Sequence, residues 1–380
     1  MATLLQYLYW RGDLPFEAAA FNEVDAAVLA RLSYLPLERV MAAVDTEDEK
    51  PKSMSISDAM HALSQIPQEQ LHFLWKDDPK LIRALLDSHR FGELELIAFA
   101  QKFDIPTQTQ FAVVSIRLPE HKIYVSYRGT DDTLVGWQED LNMGFTCPVP
   151  AQELAVAYLE TLAAVDTTAR LIPGGHSKGG NLAVYASAFV SPALQERVEV
   201  IYNFDGPGFV DQVLQAPGYM AICNRVQTFV PQTSIVGMLL GHQEKHTIVH
   251  SIQKGVMQHD LYSWNVRRDG FVCLQTVDKT SRFIDTTLKD WMANMDTEKR
   301  SQFVETLYTV LSATGAKTIG DLSENWFSYA RRILRSIRDL DEPTRRATSK
   351  VLRQLLRSTK TGLAQINEKE TVQNIAEPLE

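Results

Sequence analysis

The sequence predicts an α/β fold, with a mainly parallel central sheet and helices on both faces. Three observations carry this. Between residues 93 and 252, β-rich segments alternate with helix-length apolar segments. Inside that alternation, at residues 174–180, a glycine-rich turn separates an apolar strand-like run from an Ala-rich helical one. From about residue 280 onward the pattern is helical throughout.

In chain order, residues 1–50 read as helical and partly amphipathic. Phe21-Asn22-Glu23-Val24-Asp25 leads into a helix-length apolar run, with acids at its start where the helix dipole favours them. Residues 45–55 form a charged loop, and residues 56–90 read as short helices. After residue 93 come β-rich stretches, with 111–116 and 123–127 as neighbouring strands joined by a polar turn at Glu120-His121. A helix is expected over 151–165. Beyond the glycine-rich turn, strands are expected at 198–204, 226–230 and 247–252. Residues 331–357 are helical and basic with interspersed acids, which reads as a solvated face, and 364–380 as a solvated tail. The expected division is residues 1–275 as the α/β unit with its N-terminal helices, and 276–380 as a C-terminal helical extension.

Composition narrows the function classes. The chain has 380 residues, 45% hydrophobic and 22% charged, ordinary for a globular protein. A net charge of −9 argues against general nucleic-acid binding and gives no pull toward an anionic membrane. The three cysteines, Cys147, Cys223 and Cys273, are scattered without a C-x-x-C, which suggests a reducing compartment. The N-terminus lacks the pattern of a signal peptide, and no apolar run approaches the roughly 18–20 residues of a membrane span. The expected location is the cytoplasm, without stable membrane insertion. Nothing in the sequence specifies a homo-oligomer, which stays open.

The chemistry centres on Gly175-His176-Ser177-Lys178-Gly179. A serine on a sharp strand-to-helix turn is exposed on a strained backbone, and the residues two before and two after it must be small or they collide. A phosphate loop is disfavoured because the G-x-x-x-x-G-K-[ST] order is absent and Lys178 follows the serine instead. A serine nucleophile needs a base, a group that orients the base, and donors for an oxyanion. In the order serine, acid, histidine, the base must come from His242, His246, His250 or His259. His259, after the last β-like segment, is the candidate. His176 is set aside because its side chain should project elsewhere from the turn. The spacing of His242, His246 and His250 suggests a metal site, but the β-like 247–249 breaks a single helical face, and no metal or other cofactor is expected. Asp205 is the candidate acid, at the end of the strand after the serine unit; a turn former before Gly206-Pro207-Gly208 is the competing reading. No carboxylate lies at 231–236, the end of the next strand. The oxyanion donors expected are the N–H of Lys178 and the loop carrying Gly129 and Thr130, whose hydroxyl can also donate.

Tyr127-Arg128-Gly129-Thr130, Gly175-His176-Ser177-Lys178-Gly179-Gly180-Asn181-Leu182-Ala183 and Asn203-Phe204-Asp205-Gly206-Pro207-Gly208 resemble the oxyanion loop, serine elbow and following segment of class 3 lipases. With Phe21-Asn22-Glu23-Val24-Asp25, Asp131-Asp132, Gly136-Trp137, Glu139-Asp140 and Gln258-His259-Asp260, the chain resembles more closely the bacterial DUF2974 or Mbeg1-like family of α/β-hydrolase-like proteins. The resemblance covers roughly residues 20–265. It implies an α/β-hydrolase fold, Ser177 as nucleophile, His259 as base, and Thr130 and Lys178 as oxyanion contributors. The position where lipases carry their acid holds Ser234, which raises Asp205. Lys178 replaces the usual Leu, and a cation there would favour an anionic or polar substrate. The expected function is a serine esterase or lipase-like hydrolase acting on a small-molecule ester or lipid-like substrate. The alternative is an inactive hydrolase-like binding or regulatory protein.

Overall fold

A computed structural model describes residues 2–41, 53–131, 133–144, 146–234, 236–275 and Glu342. The expected C-terminal extension with its basic stretch, apart from Glu342, the tail, and most of the expected charged loop lie outside the described residues. The strands are β1 (Ala2–Thr3), β2 (Met54–Ser55), β3 (Glu95–Asp104), β4 (Thr109–Leu118), β5 (Lys122–Tyr127), β6 (Arg170–His176), β7 (Ile201–Phe204), β8 (Val226–Pro231), β9 (His246–Val249), β10 (Asn265–Arg267), β11 (Gly270–Phe271) and β12 (Cys273–Leu274). The main sheet runs β12-β9-β8-β7-β6-β5-β4-β3-β2, and β1-β10-β11 form a small second sheet. From β5 to β9 every pairing is parallel. Antiparallel strands flank this block on both edges. The β4–β5 hairpin turns through Glu120 and His121, both with positive φ (59° and 56°). Two left-handed residues are what a tight hairpin turn of the right twist requires.

The principal helices are α1 (Leu4–Arg11), α2 (Glu23–Leu32), α3 (Ile56–Ser64), α4 (Asp78–Leu86), α5 (His89–Gly92), α6 (Leu134–Asn142), α7 (Pro150–Val165) and α8 (Lys178–Phe189). Alternation along β5 shows how they sandwich the sheet. Ile123, Val125 and Tyr127 join one core, with Ala155 and Leu159 of α7 and Leu182 and Ala186 of α8. Tyr124 joins the other, with Val28 and Leu29 of α2 and Leu4 and Leu8 of α1. On that side the hydroxyls of Tyr124 and Ser126 each donate at 2.9 Å to carbonyls of α2, those of Ala26 and Leu29.

Helix α2 departs from the partly amphipathic expectation, because Val24–Leu32 are all buried. Asn22 caps it by accepting from the N–H of Val24 and Asp25, and Asp25 accepts in return from the Asn22 N–H at 3.0 Å. Asp25 also meets the Arg90 guanidinium, and Arg31 meets Asp78, both pairs fully buried. Sequence places the acid at the helix start; only packing shows that it neutralises an arginine more than sixty positions away. Removing one partner of such a pair costs about 3–5 kcal/mol, because the other charge is left buried. The central parallel strands between helical layers, with a strand-to-helix serine turn, form an α/β-hydrolase fold.

Candidate active site

The parallel register assembles the site. His176 of β6 is paired with Phe204 of β7, so the next residues, Ser177 and Asp205, leave neighbouring strands side by side at their carboxyl ends. In open α/β sheets this edge is where sites form. The Ser177 N–H donates to the Phe204 carbonyl at 2.9 Å, and the Asp205 N–H to the Phe229 carbonyl at 2.8 Å. Both residues sit at positive φ, 58° for Ser177 and 52° for Asp205. For serine that conformation is strained, and it persists because the surroundings leave no alternative.

Those surroundings are the crowding expected from sequence. A Cβ on Gly175 would lie 2.5 Å from both the Gly179 and Tyr127 carbonyl oxygens. A Cβ on Gly179 would run into the Tyr127 carbonyl. A Cβ on Gly129 would come 3.0 Å from the Ser177 Cβ, so the Arg128-Gly129-Thr130 loop lies against the serine.

His259 ends a short 3-10 turn at Gly255–His259. Its Nδ1 donates to Asp205 Oδ2 at 2.7 Å. The other Asp205 oxygen accepts from the Ser234 hydroxyl at 2.5 Å and the Gly237 N–H at 3.2 Å. Ser234, at the position where the resemblance would put an acid, is therefore a donor to Asp205. Asn181 braces the same loop, its Nδ2 donating to the carbonyls of Pro207 and Gly208 at 3.1 and 2.9 Å. Gln152 of α7 holds the Asn181 oxygen at 2.9 Å.

His176 does not take the role of base, yet it is not a bystander. Its Nε2 donates to the His259 carbonyl at 2.7 Å, and the Tyr34 hydroxyl lies 3.1 Å from its Nδ1. The two imidazole rings lie 4.4 Å apart. Burial above all, then the neighbouring His259 and Arg31, push the His176 pKa well below the ordinary histidine value. It is a neutral tie between the serine turn, the N-terminal layer and the backbone of His259.

Lys178 begins α8, so its N–H lies at the helix N-terminus directly after Ser177. Its side chain departs from the expectation of a cation offered to substrate. It is buried, and its Nζ donates at 2.8 Å each to the Gln110 carbonyl, the Gln110 side-chain oxygen and Glu139 Oε2. A lysine this enclosed is committed to the protein interior. Glu139 also accepts from the N–H groups of Gln110 and Ala151, at 3.1 and 3.0 Å. The Thr130 hydroxyl donates to Asp140, 2.6 Å from each carboxylate oxygen. Burial pushes the Asp140 pKa up to about 6, against the lowering pull of Lys178.

The structure thus brings Ser177, Asp205, His259, Thr130 and Lys178 to one edge of the sheet. Sequence reasoning missed Gln110, Tyr34, the second role of His176 and the role of Ser234 as a donor to Asp205. These are contacts across 29 to 142 positions, and no local spacing signals them.

Three lipases of solved structure are similar to this chain. The Rhizomucor miehei lipase in its propeptide complex is 15% identical, with a TM-score of 0.37 over 51% of this chain and 66% of its own length. The Rhizopus microsporus var. chinensis lipase is 16% identical, with 0.34 over 54% and 72%. Lipase II from Rhizopus niveus is 14% identical, with 0.36 over 58% and 82%. No curated protein matches the sequence. The Mbeg1-like family model matches residues 85–309, more than half of the chain, and this protein therefore belongs to the Mbeg1-like family.

Proposed function

We propose that the protein is a serine hydrolase that cleaves a carboxylic ester of a small or lipid-like substrate. The observation that carries this reading is the His259–Asp205 pair, at 2.7 Å, beside a serine held at positive φ on a strand-to-helix turn. Because Asp205 accepts the Nδ1 proton, the Nε2 of His259 is left with a lone pair for the serine proton. Ser177 Oγ attacks the ester carbonyl carbon as His259 takes its proton. The carbonyl oxygen becomes an oxyanion facing the Lys178 N–H and the Thr130 loop. Collapse of the tetrahedral species expels the alcohol, which receives the proton from His259. Water, deprotonated by the same histidine, then releases the acid and restores Ser177.

Asp205 is fixed by two donors of its own, so the reading needs no acid at the end of β8. The enclosure of Lys178 removes the reason to favour an anionic substrate. A fluorophosphonate probe tests the proposal. It should label the wild-type chain and spare a folded Ser177→Ala variant. No labelling of folded wild-type protein would leave the binding or regulatory reading in its place. A panel of esters graded by acyl length then identifies the substrate class.

A further inference from the structure

The segment leading into β9 gathers a second group of reactive side chains. His242, Glu244 and His246 each present one donor atom, and these atoms lie within 4.8 Å of one another. The four-residue spacing points to His250 as the third member, but its Nδ1 lies 2.6 Å from Asn265 Oδ1. Glu244, two residues from each remaining histidine, takes its place. The rings of His242 and His246 stand edge to face, 4.5 Å apart.

The His242 side chain is only 6% exposed. Its Nδ1 lies 2.8 Å from Glu244 Oε1. An ionised carboxylate only accepts, so Nδ1 is the donor. The Nε2 of His242 is buried and has no hydrogen-bond partner among the described residues. A buried imidazole nitrogen with no partner is a lone pair that a bound metal ion would satisfy. The carboxylate is itself fixed. Tyr219 and Thr228 donate to it at 2.6 and 2.8 Å, and the Gln243 N–H at 3.2 Å.

We infer that His242, Glu244 and His246 form a binding site for a divalent transition-metal ion of the zinc class. Two imidazoles and one carboxylate suit zinc better than calcium or magnesium, which take oxygen ligands. The place of the site in the fold suggests its use. Gly241, next to His242, exchanges both backbone hydrogen bonds with Phe209, at 2.8 and 2.9 Å. Phe209 closes the loop that begins at Asp205, and Thr228 belongs to β8. A metal here ties the segment before β9 to β8 and to the loop that carries the candidate acid. It is a structural clamp, and it does not depend on the protein being a hydrolase.

The test is metal binding to the full chain. Metal-stripped protein is titrated with zinc chloride by calorimetry, and retained zinc is measured after gel filtration. The expected result is about one zinc per chain, with binding at least about tenfold weaker in His242→Ala and in His246→Gln and unchanged in His250→Ala. Cobalt(II) should give a four-coordinate spectrum without a thiolate charge-transfer band, which excludes the three cysteines as the site. If His242→Ala fails to fold, His246→Gln decides. The inference is overturned if wild-type protein retains no zinc, if the folded His246→Gln variant binds it as tightly, or if the thiolate band appears.

Discussion

Replacing Asp205 by Asn is the sharpest probe of the proposed chemistry, because the structure dictates which way the new amide must face. The backbone at Asp205 has a φ of 52°, a region that Asn occupies as readily as Asp, so the loop should keep its path. Oδ1 accepts from the Ser234 hydroxyl and from the Gly237 N–H, the latter at 3.2 Å. The hydroxyl can rotate, but the backbone N–H cannot. The amide oxygen must therefore stay at Oδ1, which puts the NH2 where Oδ2 lies, 2.7 Å from His259 Nδ1. Two N–H groups cannot face each other, so His259 moves its proton to Nε2. That nitrogen can then no longer take the serine proton. The same substitution in a serine protease triad lowers kcat by about ten-thousand-fold. By the tenfold-per-1.36 rule this is about 5.5 kcal/mol of transition-state stabilisation. The assay is kcat and KM on p-nitrophenyl esters, with the rate of fluorophosphonate labelling as a second readout. Unfolding curves confirm that the variant is folded. A kcat within tenfold of wild type would refute the orienting role of Asp205.

Three further outcomes follow from the same geometry. Gly179→Ala should destabilise the fold by about 1–3 kcal/mol in urea titrations, because its Cβ meets a backbone oxygen that cannot swing aside; an unchanged midpoint would contradict the crowding argument. Lys178→Met leaves Glu139 buried without its cation, and should cost about 3–5 kcal/mol in the same titration; a neutral effect would show that the pair contributes nothing net. His176 has a depressed folded pKa, so the unfolded chain binds its proton first as pH falls. Its contribution is whole above the unfolded value of 6.5 and is lost below it, at up to about 1.4 kcal/mol per pH unit, until the folded pKa is reached. Burial raises Asp140 and Asp260 to about 6, which acts in the opposite direction, so the measurement is the difference between wild type and His176→Gln at pH 7.5 and about 5. Parallel pH profiles for the two would count against a neutral buried His176.

By itself, the sequence determined the serine turn and the order of elements around it. Gly175, Ser177 and Gly179 are legible because their spacing is local: the two glycines flank the serine two positions either side, and a side chain on Gly175 would collide with Gly179 across the turn, and one on either with Tyr127 of the neighbouring strand. The same holds for the Glu120-His121 hairpin, where a few neighbouring residues decide the backbone. Asp205 was legible as a position, the end of the strand after the serine unit. Whether it meets His259 was not, because that contact spans 54 positions and is set by the register of β6 on β7 and the turn at Gly255–His259. Only the tertiary structure decided the fate of the charges. Lys178 reads as a cation beside a serine, yet it is drawn inward by Gln110 and Glu139; Asp25 reads as a helix-dipole partner, yet it neutralises Arg90. Ser234 reads as a missing acid, yet it donates to the acid one strand away. Local pattern fixes backbone conformation, whereas the partner of a buried polar group is chosen by whichever strands the fold sets side by side.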